Sequence, residues 1–277
     1  MARPGRTIRR RQVLLGLVVA TLAAAGLTGR AGSLEPPATT ECDRRPDVSN
    51  TGPAPGVPLR TAKQNLYVDG QVLENKEFFG PVDIVADNVT IRNSIVYGGI
   101  RLRGNRTMID HVTATGISIQ SGTGHVIQYA NLSGGADGIH LGSNRPVSGT
   151  IIRNNYIHDL MALSGLHVDG IQVRGSRNLS VVCNNIDLGP YRQRQNGAIY
   201  LEWVNGGNHG VVIDRNWLNG GGNTLYVTAT NLRVTYNRFG RNFRWAVCRL
   251  NDRRNPFVSA GNVWDNTGGP VNLCGQG

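Results

Sequence analysis

The sequence predicts an all-β protein that folds as a right-handed parallel β-helix (solenoid) of about eight coils in a single domain. From Leu66 onward, short runs of alternating apolar residues recur every 17 to 32 residues, and no segment of useful length has the 3.6-residue periodicity of a helix. Each run carries an Asn or Asp near its end, as in VTIRNSI at 89–95 and VIDRNWL at 212–218. A second short strand, such as GIRL or GIHL, follows between successive runs. Such repeats of short strands are typical of a parallel β-solenoid.

The polar position of the repeat is predicted to form a ladder inside the β-helix. Coils stack about 4.8 Å apart, so an inward Asn can hydrogen-bond to the next coil and to its own counterpart there. A leucine-rich repeat is disfavoured because its regular leucine spacing is absent, and a β-sandwich because the separators are too irregular for hairpin turns. The predicted ladder consists of Asn93, Asp110, Ala130, Asn155, Asn184, Asn216, Asn237 and Asn262.

The first segment, residues 1–31, is predicted to be a secretory signal peptide. It contains six arginines and no acidic residue up to Arg30, with an apolar stretch from Val13 to Leu27 and small residues after it. Arg10-Arg11 resembles the twin-arginine export pattern. The apolar stretch is too short for an ordinary membrane span, and no other segment approaches one. We therefore expect a secreted, extracellular protein without a membrane span.

The second segment, residues 32–58, is rich in Pro, Thr and Gly and is predicted to form an extended arm ahead of the β-helix domain at 59–277. The chain has four cysteines, without a CxxC pair or metal-ligand spacing. An even number in an exported chain suggests two disulfides. We favour Cys248 with Cys274, which leaves Cys42 to clip the arm to Cys183.

The charge of the chain argues against nucleic acid as a partner. The full chain has 29 basic and 18 acidic residues, a net charge of +11. Six arginines lie in the signal peptide, so the remainder has 23 basic and 18 acidic residues and a charge of +5. There is no lysine-rich tract and no basic patch interleaved with aromatic residues. This mild positive charge suits a polyanionic partner without requiring one.

The β-helix segment resembles a known superfamily. The motifs are NVTIRNS at 88–94, YIHDL at 156–160, H-x-DGIQ at 167–172, NWLNGGG-x-T-x-Y at 216–226 and GNVWD at 261–265. They are similar to those of secreted actinobacterial β-helix proteins of the pectin-lyase-like superfamily, over nearly the whole domain. The resemblance implies the fold and export. It leaves the chemistry open, because the superfamily includes lyases, hydrolases, esterases and proteins without enzymatic activity.

The repeat spacing predicts where a ligand binds. The two longest coils are adjacent, and their extra residues lie in the loops at 156–168 and 188–197. Stacked loops beside a flat parallel sheet form one wall of a groove, and solenoids bind extended ligands along such faces. Outward residues of the second strands, read up the stack, are Arg101, Ser118, His140, Gln172, Tyr200 and Tyr226.

The candidate catalytic residues lie where these strands begin. Asp137 and Asp169 each precede Gly-Ile, where an aspartate either accepts backbone hydrogen bonds at a turn or forms a carboxylate pair about 5 Å apart, as in retaining glycosidases. Asp169 with Glu202 is an alternative pair. His167 either packs over its loop or acts with Asp169 as a general base. We predict Asp169, His167 and Asp137 as catalytic residues. Predicted substrate-binding residues are His140, Gln172, Arg174, Tyr200, Glu202, Trp203, Tyr226, His158 and Asp159.

The composition narrows the reaction without deciding it. The only lysines, Lys63 and Lys76, precede the ladder, which disfavours a lyase that uses a groove lysine as its base. No dense Asp cluster suggests a calcium site, and no metal or cofactor is expected. The sequence predicts a monomeric secreted protein that binds, and cleaves by hydrolysis or elimination, an extracellular polysaccharide. The alternatives are a non-catalytic glycan- or cell-wall-binding protein, and a structural protein whose Asp-Gly corners are only turns.

Overall fold

The structure is a computed structural model that describes residues 42, 44–142, 144–161, 165–250 and 256–275. The predicted signal peptide and the first part of the arm lie outside the described residues. The described part of the chain contains strands and no α-helix, and therefore no helix that could cross a membrane. The predicted all-β parallel β-helix is confirmed, as is the fold that the resemblance to the pectin-lyase-like superfamily implies.

The strands are short and follow one another through the whole described chain. The first fourteen are β1 Arg60–Thr61, β2 Asn65–Leu66, β3 Val72–Glu74, β4 Lys76–Phe78, β5 Val82–Ile84, β6 Thr90–Val96, β7 Gly99–Leu102, β8 Met108–Ala114, β9 Gly116–Ile119, β10 Val126–Gln128, β11 Asn131–Ser133, β12 Asp137–Leu141, β13 Val147–Ser148 and β14 Ile151–Arg153. The others are β15 Tyr156–His158, β16 Asp169–Val173, β17 Ser176–Val182, β18 Asn185–Asp187, β19 Ile199–Leu201, β20 Asn208–Asp214, β21 Trp217–Asn219, β22 Asn223–Val227, β23 Thr230–Thr235, β24 Arg238–Phe239, β25 Ala246–Leu250, β26 Val258–Ala260 and β27 Val263–Trp264.

Two parallel sheets enclose one apolar core. The second strands of the repeats form a nine-stranded sheet in the order β2-β5-β7-β9-β12-β16-β19-β22-β25, and the remaining strands form an eighteen-stranded sheet. Successive coils are in register, so each inward apolar residue lies on the one before it. One such column, fully buried, comprises Ile100, Ile117, Ile139, Ile171, Ile199 and Leu225.

The asparagine ladder is confirmed from Asn155 onward. The Asn184 Oδ1 accepts hydrogen bonds from the Asn155 backbone N at 3.0 Å and from its Nδ2 at 2.8 Å. The same pair of bonds links each later rung to the next, up to Asn262. At the lower end, Ala130 takes part only through its backbone N, which donates to Asn155. All four ladder asparagines from Asn155 to Asn237 are fully buried.

The predicted lower rungs Asn93 and Asp110 are wrong. Strand pairing puts Ser94 and Val112 at the ladder position instead. Asn93 is the residue before it, at φ 49°, in the left-handed conformation that turns the chain. The Asn93 Oδ1 points to the arm and accepts a hydrogen bond from the Ala54 backbone N at 2.6 Å. Asp110 points outward to Gln128. Asn tolerates the left-handed conformation. An Asn near the end of a strand can therefore be either an inward ladder residue or a residue of the turn.

The arm is tied along the β-helix, and both predicted disulfides are present. Cys42 is bonded to Cys183, and Cys248 to Cys274. Beyond Cys42 the arm runs down the coils: the Asn185 Nδ2 donates to the Pro46 carbonyl at 2.8 Å, and the Gly52 backbone N donates to the Tyr129 carbonyl at 2.8 Å. The disulfide therefore holds one end of a strap that crosses several coils.

Candidate functional site

The outer face of the nine-stranded sheet carries one continuous column of polar side chains. Strand pairing confirms that the predicted residues from Arg101 to Tyr226 lie in register, and it extends the column at both ends. The full column is Asn65, Asp83, Arg101, Ser118, His140, Gln172, Tyr200, Tyr226 and Arg249. Because side chains alternate between the two faces of a strand, the intervening apolar residues fill the core.

A groove of about 510 Å³ follows this column along the lower coils. Its floor includes Asp83, Arg101 and Ser118, and it ends at Asp137 and His140. Asp83 is neutralised by Arg103, with which it forms an ion pair, and Arg101 Nη1 lies 3.9 Å from the same carboxylate. The groove is therefore lined with hydrogen-bonding groups and has an exposed guanidinium at its lower part.

The two long loops lie one above the other at the entrance to this sheet, as predicted. The Val168 backbone N donates to the Arg194 carbonyl at 2.9 Å, and the Asn196 N donates to the Val168 carbonyl at 2.9 Å. These bonds join the loops after β15 and β18 into one wall. Val168 pairs with Gln195, and Ile171 pairs with Ile199. Between these two pairs the upper loop has one residue more than the lower loop. Gly197 rather than Asn196 is therefore stacked on Asp169.

Asp137 and Asp169 are stacked partners, and they bind backbone groups. Asp137 pairs with Asp169 in the strand register, and the Asp169 N donates to the Asp137 Oδ1 at 3.1 Å. The Asp169 carboxylate accepts hydrogen bonds from the Asn196 Nδ2 and the Gly197 N, both at 3.1 Å. Asp169 is only 1% exposed, whereas Asp137 is half-buried and reaches the groove. Of the two carboxylates, only Asp137 is placed to touch a ligand.

Each aspartate is followed by glycine because the next coil leaves no room for a side chain. A Cβ on Gly138 would lie 2.3 Å from the Ile157 Cγ2, and one on Gly170 would lie 2.2 Å from the Ile186 Cγ2. Such contacts are far inside van der Waals distance. The Asp-Gly pair therefore fixes a tight corner, from which the Asp137 side chain points to the groove.

The pKa values of both carboxyl groups are raised. Burial raises the pKa of Asp137 to about 6, and the nearby Glu202 adds to this, while the backbone hydrogen bond from Asp169 and the charge of His167 oppose it. Burial and then the charge of Asp137 raise the pKa of Asp169 well above its usual value. Asp137 can therefore exchange a proton near neutral pH.

The two histidines beside Asp137 differ in exposure. His140 is half-buried in the groove, and burial lowers its pKa, with Arg174 contributing. A neutral His140 can both donate and accept a hydrogen bond. His167 is exposed on the loop wall, close enough to Asp137 for its positive charge to lower that pKa.

Above His140 the face carries a hydrogen-bonded acidic group and two tyrosines. The Gln172 Nε2 donates to the Glu202 Oε1 at 2.8 Å, and the Arg174 Nε donates to the Glu202 Oε2 at 3.0 Å. The rings of Tyr200 and Tyr226 lie 4.8 Å apart at an angle of 56°. Tyr226 is buried, so Tyr200 presents the accessible edge of this pair.

Of the predicted binding residues, His140 lines the groove and five others lie above it on the same face, whereas three lie apart from this face. His158 is on β15 in the other sheet, where its Nδ1 lies 2.7 Å from the Asp159 Oδ2 and its Nε2 lies 2.8 Å from the Asn131 Oδ1. Asp159 stays largely exposed beside it. Trp203 is half-exposed just past Glu202, and its ring covers Gly207 and faces His209. The His158–Asp159 contact joins two adjacent residues away from the groove and points to a structural role for both.

Sequence reasoning placed Arg101 and Ser118 on the column but missed Asp83, which lies below them on the floor of the groove. Asp83 and Arg103, which form an ion pair, are separated by 20 residues in the chain, so no local pattern joins them. Phe79 and Tyr97 are exposed, and their rings are stacked with centroids 5.4 Å apart. Phe79 lies just before β5 and Tyr97 just before β7. Both lie just before a strand of the nine-stranded sheet, and this shared position was the signal that could have identified them. Within the described ranges, no three His, Cys, Asp or Glu side chains are grouped as metal ligands.

Comparison with known proteins gives only distant similarity. No protein-family profile and no curated protein matches the chain. Among the solved structures similar to it are two alginate lyases and an exopolygalacturonase. An alginate lyase from Paenibacillus sp. str. FPU-7 is 11% identical with a TM-score of 0.41, over 76% of this chain and 82% of that chain.

The other two solved structures match smaller shares of their own chains. A PL6 alginate lyase in complex with a trisaccharide is 13% identical with a TM-score of 0.43, over 73% of this chain and 57% of that chain. A hyperthermoactive exopolygalacturonase from Thermotoga maritima is 12% identical with a TM-score of 0.34, over 68% of this chain and 55% of that chain. At these identities and TM-scores no residue role or activity can be transferred to this chain.

Proposed function

We propose that the protein is a secreted carbohydrate-active protein that binds an extracellular polysaccharide along the groove of the nine-stranded sheet and cleaves it beside Asp137. The observation that carries the proposal is a half-buried Asp137 at the end of that groove, with a pKa raised to about 6. Perturbed carboxyl groups of this kind, in a cleft, are characteristic of acid–base catalysis. The two disulfides fit an oxidising, extracellular environment.

The groove suits an extended sugar chain. Its polar column offers carboxylate, guanidinium, hydroxyl and imidazole groups on successive strands, about 4.8 Å apart. Sugar hydroxyls are donors and acceptors alike, so a line of mixed groups at this spacing can bind one sugar after another. Tyr200 in the upper coils and Phe79 and Tyr97 in the lower coils add apolar ring surfaces for sugar faces.

The chemistry is a proton transfer by Asp137. Protonated, Asp137 can give its proton to the oxygen of the scissile bond. Ionised, it can take a proton from a water molecule or from a sugar carbon next to a carboxyl group. Asp169, on the next coil above, acts as a positioning residue, because its backbone N holds the Asp137 Oδ1 at 3.1 Å. His167, on the loop wall, is a second acid–base group at the same end of the groove.

The products distinguish the reaction classes. Purified protein is incubated with a panel of neutral and acidic glycans, and new reducing ends and unsaturated sugar products are measured separately. Reducing ends without unsaturation identify a hydrolase, and unsaturated ends identify a lyase. Asp137→Asn should lower either activity by about a thousandfold, the scale of losing an acid–base group, while Asp110→Asn on the other sheet should leave it unchanged.

A specific observation favours a second function, that of a non-catalytic glycan-binding protein. Both aspartates accept backbone hydrogen bonds at tight corners, as turn aspartates do, and Asp169 is inaccessible. This alternative predicts that the protein co-sediments with an insoluble glycan, releases no product, and binds equally well after Asp137→Asn. If neither product nor binding appears with any glycan, both functions are contradicted.

A further inference from the structure

A second cavity lies on the eighteen-stranded sheet, away from the groove. It has a volume of about 230 Å³ and is lined by side chains at the ends of β21 and β24, by the segment after β27, and by Arg45 of the arm. The charged lining residues are Arg45, Arg238, Arg241 and Asp265. Three cations and one anion give this cavity, here called the arginine pocket, a charge of +2.

One carboxylate fixes two of the three guanidinium groups. The Arg45 Nη1 donates to the Asp265 Oδ2 at 3.0 Å, and its Nη2 donates to the Asn185 Oδ1 at 3.0 Å. The Arg238 Nε donates to the Asp265 Oδ1 at 2.8 Å. Asp265 thereby holds the two arginines in place and neutralises only one of them.

The third arginine is held by an aromatic ring. The Arg241 Cζ lies 3.9 Å from the centre of the Trp264 ring, and its Nε makes a long bond of 3.4 Å to the Asn266 Oδ1. Stacking orients the plane of a guanidinium and leaves its edge free to donate. The indole of Trp217 lines the cavity itself and is half-buried there.

Most donors of the three arginines have no acceptor among the described residues. A guanidinium has five N–H groups, whereas the bonds from these three side chains to the described residues are five in all. Arg45 and Arg238 side chains are each about 40% exposed (40% and 42%). The pocket is thus an open cluster of N–H donors with excess positive charge, in which Asp265 fixes two of the three guanidinium groups.

We propose that the arginine pocket binds the carboxylate of an acidic sugar, with the sugar ring against Trp217. A planar carboxylate matches the paired N–H groups of a guanidinium, and the indole face suits the apolar face of a sugar. The cavity holds about one sugar residue. The site is separate from the groove and does not depend on cleavage, so it would anchor an acidic polymer while another segment of it lies along the nine-stranded sheet.

The test is an NMR titration of the protein from residue 32 onward, without the predicted signal peptide. Glucuronate is the ligand, and glucose is the neutral control. The indole N–H signals of the tryptophans are assigned from single Trp→Phe variants. Glucuronate should shift the signals of Trp217 and Trp264 and leave that of Trp203 unmoved, and glucose should shift none of the three. Equal shifts with both sugars, or no shift with glucuronate, would overturn the proposal.

Variants separate this site from the groove. Arg241→Gln should weaken glucuronate binding about tenfold, as expected for losing a charge-assisted contact, and Arg92→Gln, an exposed arginine paired with Glu74, should not. Asp137→Asn should leave it unchanged even where it abolishes cleavage. Unchanged affinity in Arg241→Gln would contradict the assignment. A shift of the Trp217 indole signal by inorganic phosphate as large as that by glucuronate would also contradict the assignment, because it would indicate a site for small anions in general.

Discussion

Asp137 makes the folded protein sensitive to pH in a predictable direction. Its pKa is about 6 in the folded protein and near 3.8 ordinarily. Between these two pH values the folded protein binds more protons than the unfolded protein does. The stability that Asp137 contributes is therefore present at pH 4 and is lost as the pH rises through 6. Asp137→Asn should raise the free energy of unfolding by about 1–3 kcal/mol at pH 8 and leave it nearly unchanged at pH 4.

The control for this prediction has the opposite sign. Burial alone would raise the pKa of Asp110, but hydrogen bonds from His111 and Gln128 bring it below its ordinary value. The stability that Asp110 contributes is present at neutral pH and is lost as the pH falls. Both variants are unfolded with urea at pH 4, 6 and 8, which lie around the Asp137 pKa of about 6. Asp110→Asn should be destabilised at pH 8. A stabilising effect of Asp137→Asn that does not grow with pH would be inconsistent with the raised pKa.

Asp169 is predicted to act through structure. Both of its carboxyl oxygens accept hydrogen bonds, from Asn196 and from the Gly197 backbone. In Asp169→Asn an amide NH₂ must face one of these donors, which costs about 1–3 kcal/mol at a buried site. We expect a lower melting temperature and lower activity, with the pH dependence of the remaining activity still set by Asp137. Full activity and full stability in this variant would remove Asp169 from the site.

At the scale of elements, the asparagine ladder should be a main source of stability. Asn184 accepts two hydrogen bonds from Asn155 and donates to the Asn216 Oδ1 and to the Ile152 carbonyl. Asn184→Ala should lower the free energy of unfolding by about 3 kcal/mol, because it leaves several buried polar groups without partners. Thermal unfolding measures this. Asn242→Ala, whose side chain is exposed, should change stability by less than about 0.5 kcal/mol.

Repetition explains which elements could be predicted from the sequence. The GI-x-L strands were identified correctly because inward and outward residues alternate in every copy, and the same register aligned the outward column from Arg101 to Tyr226. The lower ladder was misread because Asn93 satisfies the repeat pattern while serving as a left-handed turn residue. A one-residue offset of this kind depends on backbone conformation, which the letters Asn and Asp do not specify.

The site was less predictable than the fold because burial depends on neighbouring coils. Asp137 and Asp169 look alike in the sequence, yet only Asp169 is covered, by the long upper loop that supplies Asn196 and Gly197. In the arginine pocket, Arg45 contacts Asp265, which lies 220 residues later in the chain. No local pattern marks such a contact.

For the whole molecule, the arm disulfide should matter more than the C-terminal one. Cys42–Cys183 spans 141 residues and Cys248–Cys274 spans 26. In the chain-entropy description these loops contribute about 5 and about 3.5 kcal/mol. Replacing both cysteines of each pair by serine, in separate double variants, and measuring urea unfolding should show the larger loss for the arm. A larger loss for the C-terminal pair would mean that the arm adds little to the β-helix.

The central claim is that a polysaccharide lies along the nine-stranded sheet with its scissile bond at Asp137. The most direct measurement is a crystal structure of Asp137→Asn with an oligosaccharide of the glycan that the unmodified protein cleaves. We predict sugar residues along the column from Arg101 to Tyr200, with a glycosidic oxygen or the reacting sugar carbon within hydrogen-bonding reach of the residue 137 side chain. An oligosaccharide bound only elsewhere on the molecule, or with no reacting atom near residue 137, would contradict the claim.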